Sequence, residues 1–491
     1  MFEAVNQATA LSKPDFEKAV QTVRTELLKA QQALQETGIS VIIIIAGVEG
    51  AGKSDVVNRF NEWMDTRWIH NHAFWDETDE ERQRPAKWRF WRTFPARGQM
   101  AVLFGAWYTH PIINCALGKT SSDHFAVDMQ HIEQLERMLT DDNHLVVKLW
   151  LHLSPAMQQK RLKGKDKHRP TKLAKKIARH YDDFLLAAER AIHLTDTGNA
   201  PWFLINAEQE RYRDITAARI LLQQLRSALN KQTHEQSVQQ LGKKARQFTL
   251  GSPAVLDDLA LDACQLSKKA YKKQLKHYQQ KLSKLSWKAY DARRSVVCVF
   301  EGWDAAGKGG AIRRVTRMLD ARLYSVISVA APTDEEKARH YLWRFWRQLP
   351  RDGYITIYDR SWYGRVLVER VEGLASEQAW MRSYQEINDF EDQLYLHGTV
   401  VMKFWLHIGA EEQLRRFRER QATPWKQHKI TDEDWRNRDK WDLYASAVND
   451  MVARTSTSVA PWVIVPANDK KYARIHTLKT LCQRIETALQ Q

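Results

Sequence analysis

The chain contains Gly47-Val48-Glu49-Gly50-Ala51-Gly52-Lys53-Ser54 and repeats the pattern 255 positions later as Gly302-Trp303-Asp304-Ala305-Ala306-Gly307-Lys308-Gly309 (47 to 302). Each copy follows an apolar run, 41–46 in the first and 295–300 in the second, which predicts a buried strand. A strand that leads into a glycine loop and then a helix directs backbone N–H groups and a lysine at a phosphate. The pattern therefore predicts that this chain handles phosphoryl groups.

The two copies belong to an internal repeat of the whole chain. With the same offset of 255, residues 88–92 match 343–347, and 148–152 match 403–407. Further along, the offset becomes 260, which pairs 200–202 with 460–462. Self-similarity of this kind indicates tandem copies of one domain.

Within each half, predicted strands alternate with helical stretches. This order predicts an α/β fold with two tandem P-loop kinase-like domains, each a parallel sheet with helices on both faces, followed by a basic helical segment. We expect the domains at 1–230 and 253–491. A polar linker rich in Gln, Lys and Gly is expected at 231–252.

Composition limits the class of protein and of partner. The 491 residues, 43% of them hydrophobic, are enough for two packed cores, and the net charge of +16 indicates a polyanionic partner: nucleic acid, anionic lipid or a phosphate polymer. The four cysteines are far apart and form no pair typical of a zinc site or a disulfide framework. No leader segment is evident at 1–7, and the run at 41–46 is too short to span a membrane. We expect a soluble cytoplasmic protein without a membrane partner, and leave a homo-oligomer open.

The strand expected at 354–358 leads directly into Asp359 and Arg360. A carboxylate at the C-terminal end of a strand next to the phosphate loop is where a P-loop enzyme holds magnesium. At the two equivalent positions the first half has Phe104 and Gly105. Because both the carboxylate and the neighbouring cation are missing there, we expect the first half to be inactive and the second half to be catalytic.

The second loop departs from the usual pattern at Gly309, where a Ser or Thr hydroxyl normally reaches Mg²⁺. Mg²⁺ requires oxygen ligands, so Asp304 within the loop is expected to supply one and Asp359 another. Asp304 could instead orient the acceptor phosphate or accept a proton from it. Lys308 is expected to hold phosphates and Arg360 to stabilise the transition state. The loop residues expected to contact phosphate are Gly302, Ala305, Ala306, Gly307 and Gly309.

A further basic group precedes the Asp359 strand. Arg344, Arg347 and Arg351 recur at three- and four-residue intervals, so on a helix they would share one face. Adjacent like charges repel one another, but they suit a chain of phosphates. A solvated basic face is the alternative interpretation, although Trp343 and Trp346 indicate that part of this helix is buried.

At 302–310, 344–350 and 359–365 the sequence resembles the polyphosphate kinase type 2 family. The resemblance covers the second half and, in degenerate form, the first, and the tandem arrangement resembles the two-domain subgroup, the polyphosphate:AMP phosphotransferases. It implies transfer of the terminal phosphoryl group of inorganic polyphosphate to AMP, giving ADP, with Mg²⁺ as cofactor. It implies catalytic roles for Asp304, Lys308, Asp359 and Arg360.

The resemblance also implies an arginine-rich lid after the third strand of the second half. The residues expected to bind substrate are Arg365, from the 359–365 stretch, and within the lid Arg415, Arg418, Lys426 and Arg438. The sequence departs from the family pattern at Gly364, where many single-domain members have Asn. The acceptor contacts near that position stay open.

Two other functions fit part of the pattern. An ATP-dependent nucleotide kinase would use the same loop and carboxylate, although a charge of +16 exceeds what a compact nucleotide needs. A nucleic-acid-binding P-loop ATPase would use the basic faces, but no helix-turn-helix, zinc-finger or RNA-binding aromatic motif is evident in the sequence. Nucleic acid is therefore the weaker candidate partner.

Overall fold

A computed structural model of the chain describes residues 1–2, 5, 10–74, 76–163, 172–241, 254–256, 259–424, 427 and 430–490. The chain forms two compact units. One consists of Met1–Glu77, Arg89–Ala245 and Asp334–His340, and the other of Thr78–Trp88, Arg246–Thr333 and Tyr341–Gln491. Each unit contains most of one half of the repeat and a short segment from the other half.

Each unit contains a five-stranded parallel sheet. The first sheet has the spatial order β2-β3-β1-β4-β5, with β1 (Ser40–Gly47), β2 (Ile69–Ala73), β3 (Met100–Phe104), β4 (His144–His152) and β5 (Trp202–Asn206). The second has the same order, β7-β8-β6-β9-β10, with β6 (Val296–Gly302), β7 (Tyr324–Ser328), β8 (Ile355–Asp359), β9 (Val400–His407) and β10 (Trp462–Pro466).

The helices also repeat in kind and order. The first half contains α1 (Lys13–Gln35), α2 (Lys53–Trp63), α3 (Asp79–Arg82), α4 (Trp88–Trp91), α5 (Thr109–Ala116), α6 (Ser122–Asp141), α7 (Pro155–Lys163), α8 (Lys172–Arg179), α9 (Tyr181–Thr195) and α10 (Glu210–Leu241). The second half contains α11 (Lys268–Asp291), α12 (Lys308–Thr316), α13 (Asp334–Lys337), α14 (Trp343–Trp346), α15 (Val368–Val371), α16 (Glu377–Leu396), α17 (Ala410–Ala422), α18 (Asp432–Asp439), α19 (Trp441–Thr455) and α20 (Lys470–Ala488).

The strands that lead into the phosphate loops, β1 and β6, lie at the centre of their sheets and are buried along nearly their whole length. A central parallel strand is covered on both faces, which is why each is apolar along most of its length; Glu301 in β6 is the exception. In the second sheet β8 pairs with β6, and Asp359 lies opposite Phe300. Parallel pairing therefore brings the carboxylate strand and the loop to one edge of the sheet.

The sequence did not reveal the edge strands β2 and β7. Three of the five residues in each strand are exposed, and β2 has the polar sequence Ile-His-Asn-His-Ala. An edge strand that faces solvent needs no continuous apolar run, so its pattern is weak.

A buried ionic cluster occurs in both units. In the second, Lys403 Nζ donates to Glu391 Oε2 at 2.7 Å and to the carbonyl oxygen of Thr455 at 2.6 Å, and neither charged side chain is exposed. Lys148 and Glu136 form the equivalent pair at 2.7 Å in the first unit. Because the cluster is present in both halves, it belongs to the fold and not to the chemistry that distinguishes them.

The predicted linker at 231–252 is helical in its first part, since α10 continues to Leu241. The two units divide between Ala245 and Arg246, and the rest of the predicted linker lies outside the described residues. In the described part of the chain, no helix has both the length and the apolar character needed to cross a membrane.

Candidate active site

The phosphate loop of the second unit has the geometry that its sequence predicts. Lys308 begins α12, and its Nζ donates to the carbonyl oxygen of Gly302 at 2.6 Å. Gly307 precedes the helix with a φ of 110°, a conformation that glycine adopts most readily. A Cβ on Gly302 would lie 2.5 Å from the carbonyl oxygen of Leu406, so only glycine fits there. The start of α12 is therefore arranged as an anion-binding helix N-terminus.

Asp304 is held by residues from the predicted lid. Its Oδ2 accepts a hydrogen bond from Asn437 Nδ2 of α18 at 2.9 Å. Its backbone oxygen accepts from Gln413 Nε2 of α17 at 3.2 Å. A guanidinium nitrogen of Arg360 lies 3.5 Å from Asp304 Oδ1. The lid helices and the strand-end arginine thus meet at the loop carboxylate.

Asp359 ends β8 and faces the start of α12. A Cβ added to Gly309 would lie 3.9 Å from Asp359 Oδ2, so the carboxylate lies next to the position where most phosphate loops carry a hydroxyl. Arg360 follows with a φ of 65°, a conformation that costs a non-glycine residue roughly 1–3 kcal/mol and clusters at functional sites. Burial lowers the pKa of Arg360, but carboxylates led by Asp304 outweigh it, so the net shift is upward.

The carboxylates fit a metal site that is completed by substrate. Among the described residues, no cluster of three or more His, Cys, Asp or Glu side chains could hold a metal ion. Mg²⁺ is commonly bound by one or two carboxylates, with phosphate oxygens and water completing its octahedron. Asp359 beside Gly309 and Asp304 within the loop are carboxylates of this kind, and the absence of a side chain at Gly309 leaves space for another oxygen.

Glu301, the residue before the loop, is a site residue that the sequence did not single out. It is 6% exposed and accepts a hydrogen bond from Ser361 Oγ at 2.8 Å. Burial raises the pKa of its carboxyl group, and the ammonium of Lys308 opposes that shift. The available signal was an acidic residue in an otherwise apolar strand, because carboxylates are seldom buried without a partner.

A pocket that is partly open to solvent is lined by Glu301, Asp304, Lys308 and Arg360. Trp303 forms part of its apolar wall, where its ring stacks on Trp441 with centroids 3.7 Å apart. The Trp303 indole N–H donates to His407 Nδ1 at 3.1 Å. Because this bond holds the Trp303 ring in the pocket wall, the role of His407 is structural. The lining residues that the sequence did not reveal are Glu301, Leu367, Val368, Trp405, Gln413, Glu433, Asn437 and Tyr444.

Part of the predicted arginine-rich lid supports the loop from behind. Arg416 is buried and donates to the carbonyl oxygens of Ala305 and Ala306, both at 2.9 Å. The N–H of Ala306 is itself bonded to the carbonyl oxygen of Trp303, so this predicted phosphate donor is occupied within the loop. Arg438 donates to the carbonyl oxygen of Ala410 at 2.6 Å, which ties α18 to α17.

Four of the other predicted binding arginines contact nearby groups. Arg415 pairs with Glu412 at 2.7 Å and Arg365 with Glu369 at 2.8 Å. Arg344 donates to the carbonyl oxygen of Ala330 at 3.1 Å, and Arg347 lies 4.4 Å above the ring of Trp343. Arg418 is exposed, and Lys426 lies outside the described residues. Within the described part of the chain, the pocket around Lys308 is lined by none of these arginines or Arg438.

The expected shared helical face of Arg344, Arg347 and Arg351 is wrong. Helix α14 is a single turn that ends at Trp346, and Arg351 lies beyond it. The residue before a proline is disfavoured in helical conformation, so Pro350 explains why no longer helix forms.

The first phosphate loop is neutralised by its own side chains. Lys53 Nζ lies 3.2 Å from Glu49 Oε1 and 5.8 Å from the centroid of the Phe104 ring. Glu49 corresponds to Asp304 of the second unit. The two residues that contact the Asp304 side chain, Asn437 and Arg360, are replaced by Ile177 and Gly105, so the Glu49 side chain lacks those contacts and pairs with the loop lysine.

Comparison with known proteins identifies this arrangement. A family model described as polyphosphate kinase 2 matches residues 10–233 and again 265–491. The chain belongs to the polyphosphate kinase 2 family. Polyphosphate:AMP phosphotransferases of Pseudomonas aeruginosa and Pseudomonas syringae are 46% and 44% identical to this family member, over 99% of this chain and of each relative. A crystal structure of a Pseudomonas aeruginosa PA01 protein assigned to polyphosphate kinase 2 superposes with a TM-score of 0.89, at 44% identity, over 100% of both chains.

These findings confirm the family predicted from the sequence motifs. They also confirm the predicted fold of two tandem P-loop kinase-like α/β domains, because both family matches and the superposition extend over the two halves. Both halves of the chain match the family, so the difference between their active sites has to come from the residues at each phosphate loop.

Proposed function

We propose that the chain transfers the terminal phosphoryl group of inorganic polyphosphate to AMP, forming ADP, and that its second half performs this reaction with Mg²⁺. The full-length relatives named polyphosphate:AMP phosphotransferase support this choice of donor and acceptor. The net charge of +16 suits a polymeric phosphate donor.

The observation that carries the assignment is the difference between the two loops. In the second unit, Lys308, Asp304 and Arg360 line one pocket and Asp359 faces the start of α12. In the first unit, the loop lysine pairs with Glu49. A neutralised lysine offers little attraction to phosphate, so the first half is proposed to be inactive.

Phosphoryl transfer requires in-line placement of donor and acceptor and neutralisation of the charge on the moving group. Lys308 and the N–H groups at the start of α12 bind phosphate oxygens. Arg360, held near Asp304, places its guanidinium in the same pocket, where it stabilises charge on the transferred group. Asn437 fixes Asp304 so that its carboxylate stays in the pocket. When bound, Mg²⁺ would be held by Asp359 and Asp304 and would neutralise phosphate oxygens.

The acceptor and the polymer use different surfaces. The apolar wall formed by Trp303, Leu367 and Val368 suits the flat, weakly polar face of a nucleoside. Arg347 and Arg418 are exposed outside the pocket, and their positions suit the part of a long polymer that extends beyond the reacting phosphate.

The direct test supplies purified protein and Mg²⁺ with AMP and either polyphosphate or ATP, and follows ADP by chromatography. We expect ADP with polyphosphate in the absence of ATP. The Asp359→Asn variant, purified in the same way, controls for contaminating kinases. ADP formation only with ATP would indicate an ordinary nucleotide kinase, and no product with either donor would contradict the proposal.

A further inference from the structure

The buried carboxylate of Glu301 belongs to the lining of the same pocket as Asp304, Lys308 and Arg360, and it has no role in the mechanism above. It occupies the second-to-last position of β6, immediately before the loop glycine. It accepts a hydrogen bond from Ser361 Oγ, and Ser361 is 3% exposed. The contact joins two strand ends that are 60 residues apart in sequence.

Ser361 follows the strained residue Arg360. Its oxygen also accepts a hydrogen bond from the N–H of Tyr363 at 3.3 Å, at the start of the short helical turn Trp362–Arg365. Because Arg360 has a φ of 65°, the surrounding contacts must hold the turn in that conformation. The hydroxyl of Ser361 is bonded on both sides, and Glu301 is its fixed partner on the strand next to β8.

The first unit shows what the turn looks like without this contact. Ala46 replaces Glu301, and Ala106 replaces Ser361. Gly105, at the position of Arg360, keeps a similar φ of 76°, which glycine adopts at no steric cost. The Lys148–Glu136 pair is retained nearby, so the loss of the Glu–Ser contact accompanies the loss of the catalytic side chains and not a loss of the fold.

We propose that Glu301 is a positioning residue that acts through the Ser361 hydroxyl to hold Asp359 and Arg360 in the arrangement needed for phosphoryl transfer. This inference rests on the proposed function, since it assumes that the second half is catalytic. Glu301 touches neither substrate nor metal in this role. The Glu301 carboxylate holds the Ser361 hydroxyl in place, and that hydroxyl stabilises the turn after β8. This turn then sets the positions of the Asp359 and Arg360 side chains.

The test compares Glu301→Gln, Ser361→Ala and the double variant in full-length protein. Misplacement of reacting groups by about 1 Å costs roughly a hundredfold in rate, so we expect kcat to fall roughly tenfold to a hundredfold in each single variant. The double variant is expected to fall no further, because both changes break one contact. The KM for polyphosphate should stay within about threefold, since the loop that binds phosphate is unchanged.

Ser383→Ala is the matched control. Ser383 is also a buried serine next to a buried glutamate: its hydroxyl lies 3.3 Å from Glu386 Oε2 and donates to the carbonyl oxygen of Ala379 at 2.7 Å, but it lies in α16 away from the pocket. It should keep the parental kcat. A second readout needs no turnover: calorimetric titration of tripolyphosphate without Mg²⁺ should give the same affinity in Glu301→Gln as in the parent.

Each contrary result has a distinct meaning. A much larger loss in Glu301→Gln than in Ser361→Ala, with a raised half-saturating Mg²⁺ concentration, would make Glu301 a metal ligand and overturn the positioning role. Loss of tripolyphosphate binding in Glu301→Gln, or a loss of kcat in Ser383→Ala equal to that in the site variants, would show that the Glu301–Ser361 contact contributes only to general stability. Unchanged kcat in both site variants would refute the inference alone, whereas a folded parent that makes no ADP from polyphosphate would refute the proposed function.

Discussion

Lysine replacement in the two phosphate loops separates the roles of the two halves. Lys308 Nζ contacts the neutral carbonyl oxygens of Gly302 and Trp303, so its charge is available to a phosphate. Lys53 makes the equivalent contact with the carbonyl oxygen of Gly47 at 3.0 Å, but it also lies 3.2 Å from the carboxylate of Glu49, which neutralises its charge. We therefore expect Lys308→Ala to remove most of the activity and Lys53→Ala to leave it nearly unchanged.

The structure sets the scale of both effects. Removal of one preorganised donor to developing charge typically costs a factor of 100 to 1,000 in kcat, or about 2.7–4 kcal/mol. The Lys53 pair is partly exposed, and such pairs contribute about 0–1 kcal/mol to folding. A loss of that size leaves a domain with about 5–15 kcal/mol of stability fully folded, so the rate should not change.

The assay measures ADP formed from AMP and polyphosphate, at saturating concentrations, for the parent and the two variants. Thermal unfolding of each protein shows whether a variant is folded. Equal losses of kcat in folded Lys308→Ala and Lys53→Ala would refute the reasoning, because they would show that the first loop takes part in the reaction.

Three further predictions concern the metal site, the core and acidic pH. Asp359→Asn should remove nearly all turnover while the melting temperature changes little, and substantial Mg²⁺-dependent activity in this variant would contradict the metal assignment. Glu391→Gln should reduce the free energy of unfolding by about 3–5 kcal/mol in urea titrations, because Lys403 would remain as a buried charge without its counter-ion; a change below about 1 kcal/mol would contradict this account. Burial lowers the pKa of His152 from 6.5 to about 4, so the unfolded chain binds a proton between these values that the folded chain does not. Its contribution to stability is complete above pH 6.5 and is lost as the pH falls towards 4, by up to about 3 kcal/mol. Urea titrations at pH 7 and pH 5 should therefore show a smaller drop in His152→Gln than in the parent, and an equal drop would rule out this histidine as a cause.

The fold and the outline of the site could be predicted from local sequence. The glycine loop and its lysine are adjacent in the chain, so they form a recognisable sequence motif. A central parallel strand is largely apolar, so it is recognisable as an apolar run. The repeat supplied an internal comparison in which Phe104 stands where Asp359 does. Of the four predicted catalytic residues, Asp304, Lys308 and Arg360 line one pocket, and Asp359 lies beside Gly309.

The roles of the lid arginines could not be predicted in this way. Arg415 and Arg416 are neighbours of the same type, yet one is exposed beside Glu412 and the other is buried behind the loop. Their different roles follow from the face of α17 on which each lies and from what packs against that face. A charged run in a sequence does not contain that information.

The sequence by itself determined that this chain is a tandem pair of phosphate-loop domains, that it belongs with proteins that handle polyphosphate, and that only its second half keeps the acidic strand end. The tertiary structure decided which groups meet at that strand end. Asn437 donates a hydrogen bond to Asp304, 133 residues away in the sequence, and Ser361 donates one to Glu301, 60 residues away. In the first unit Glu49 pairs with Lys53, because residues equivalent to Asn437 and Arg360 are absent. These contacts depend on how the lid helices pack on the sheet. They also depend on which polar atoms become buried and therefore require a hydrogen-bond partner, and both are properties of the folded chain.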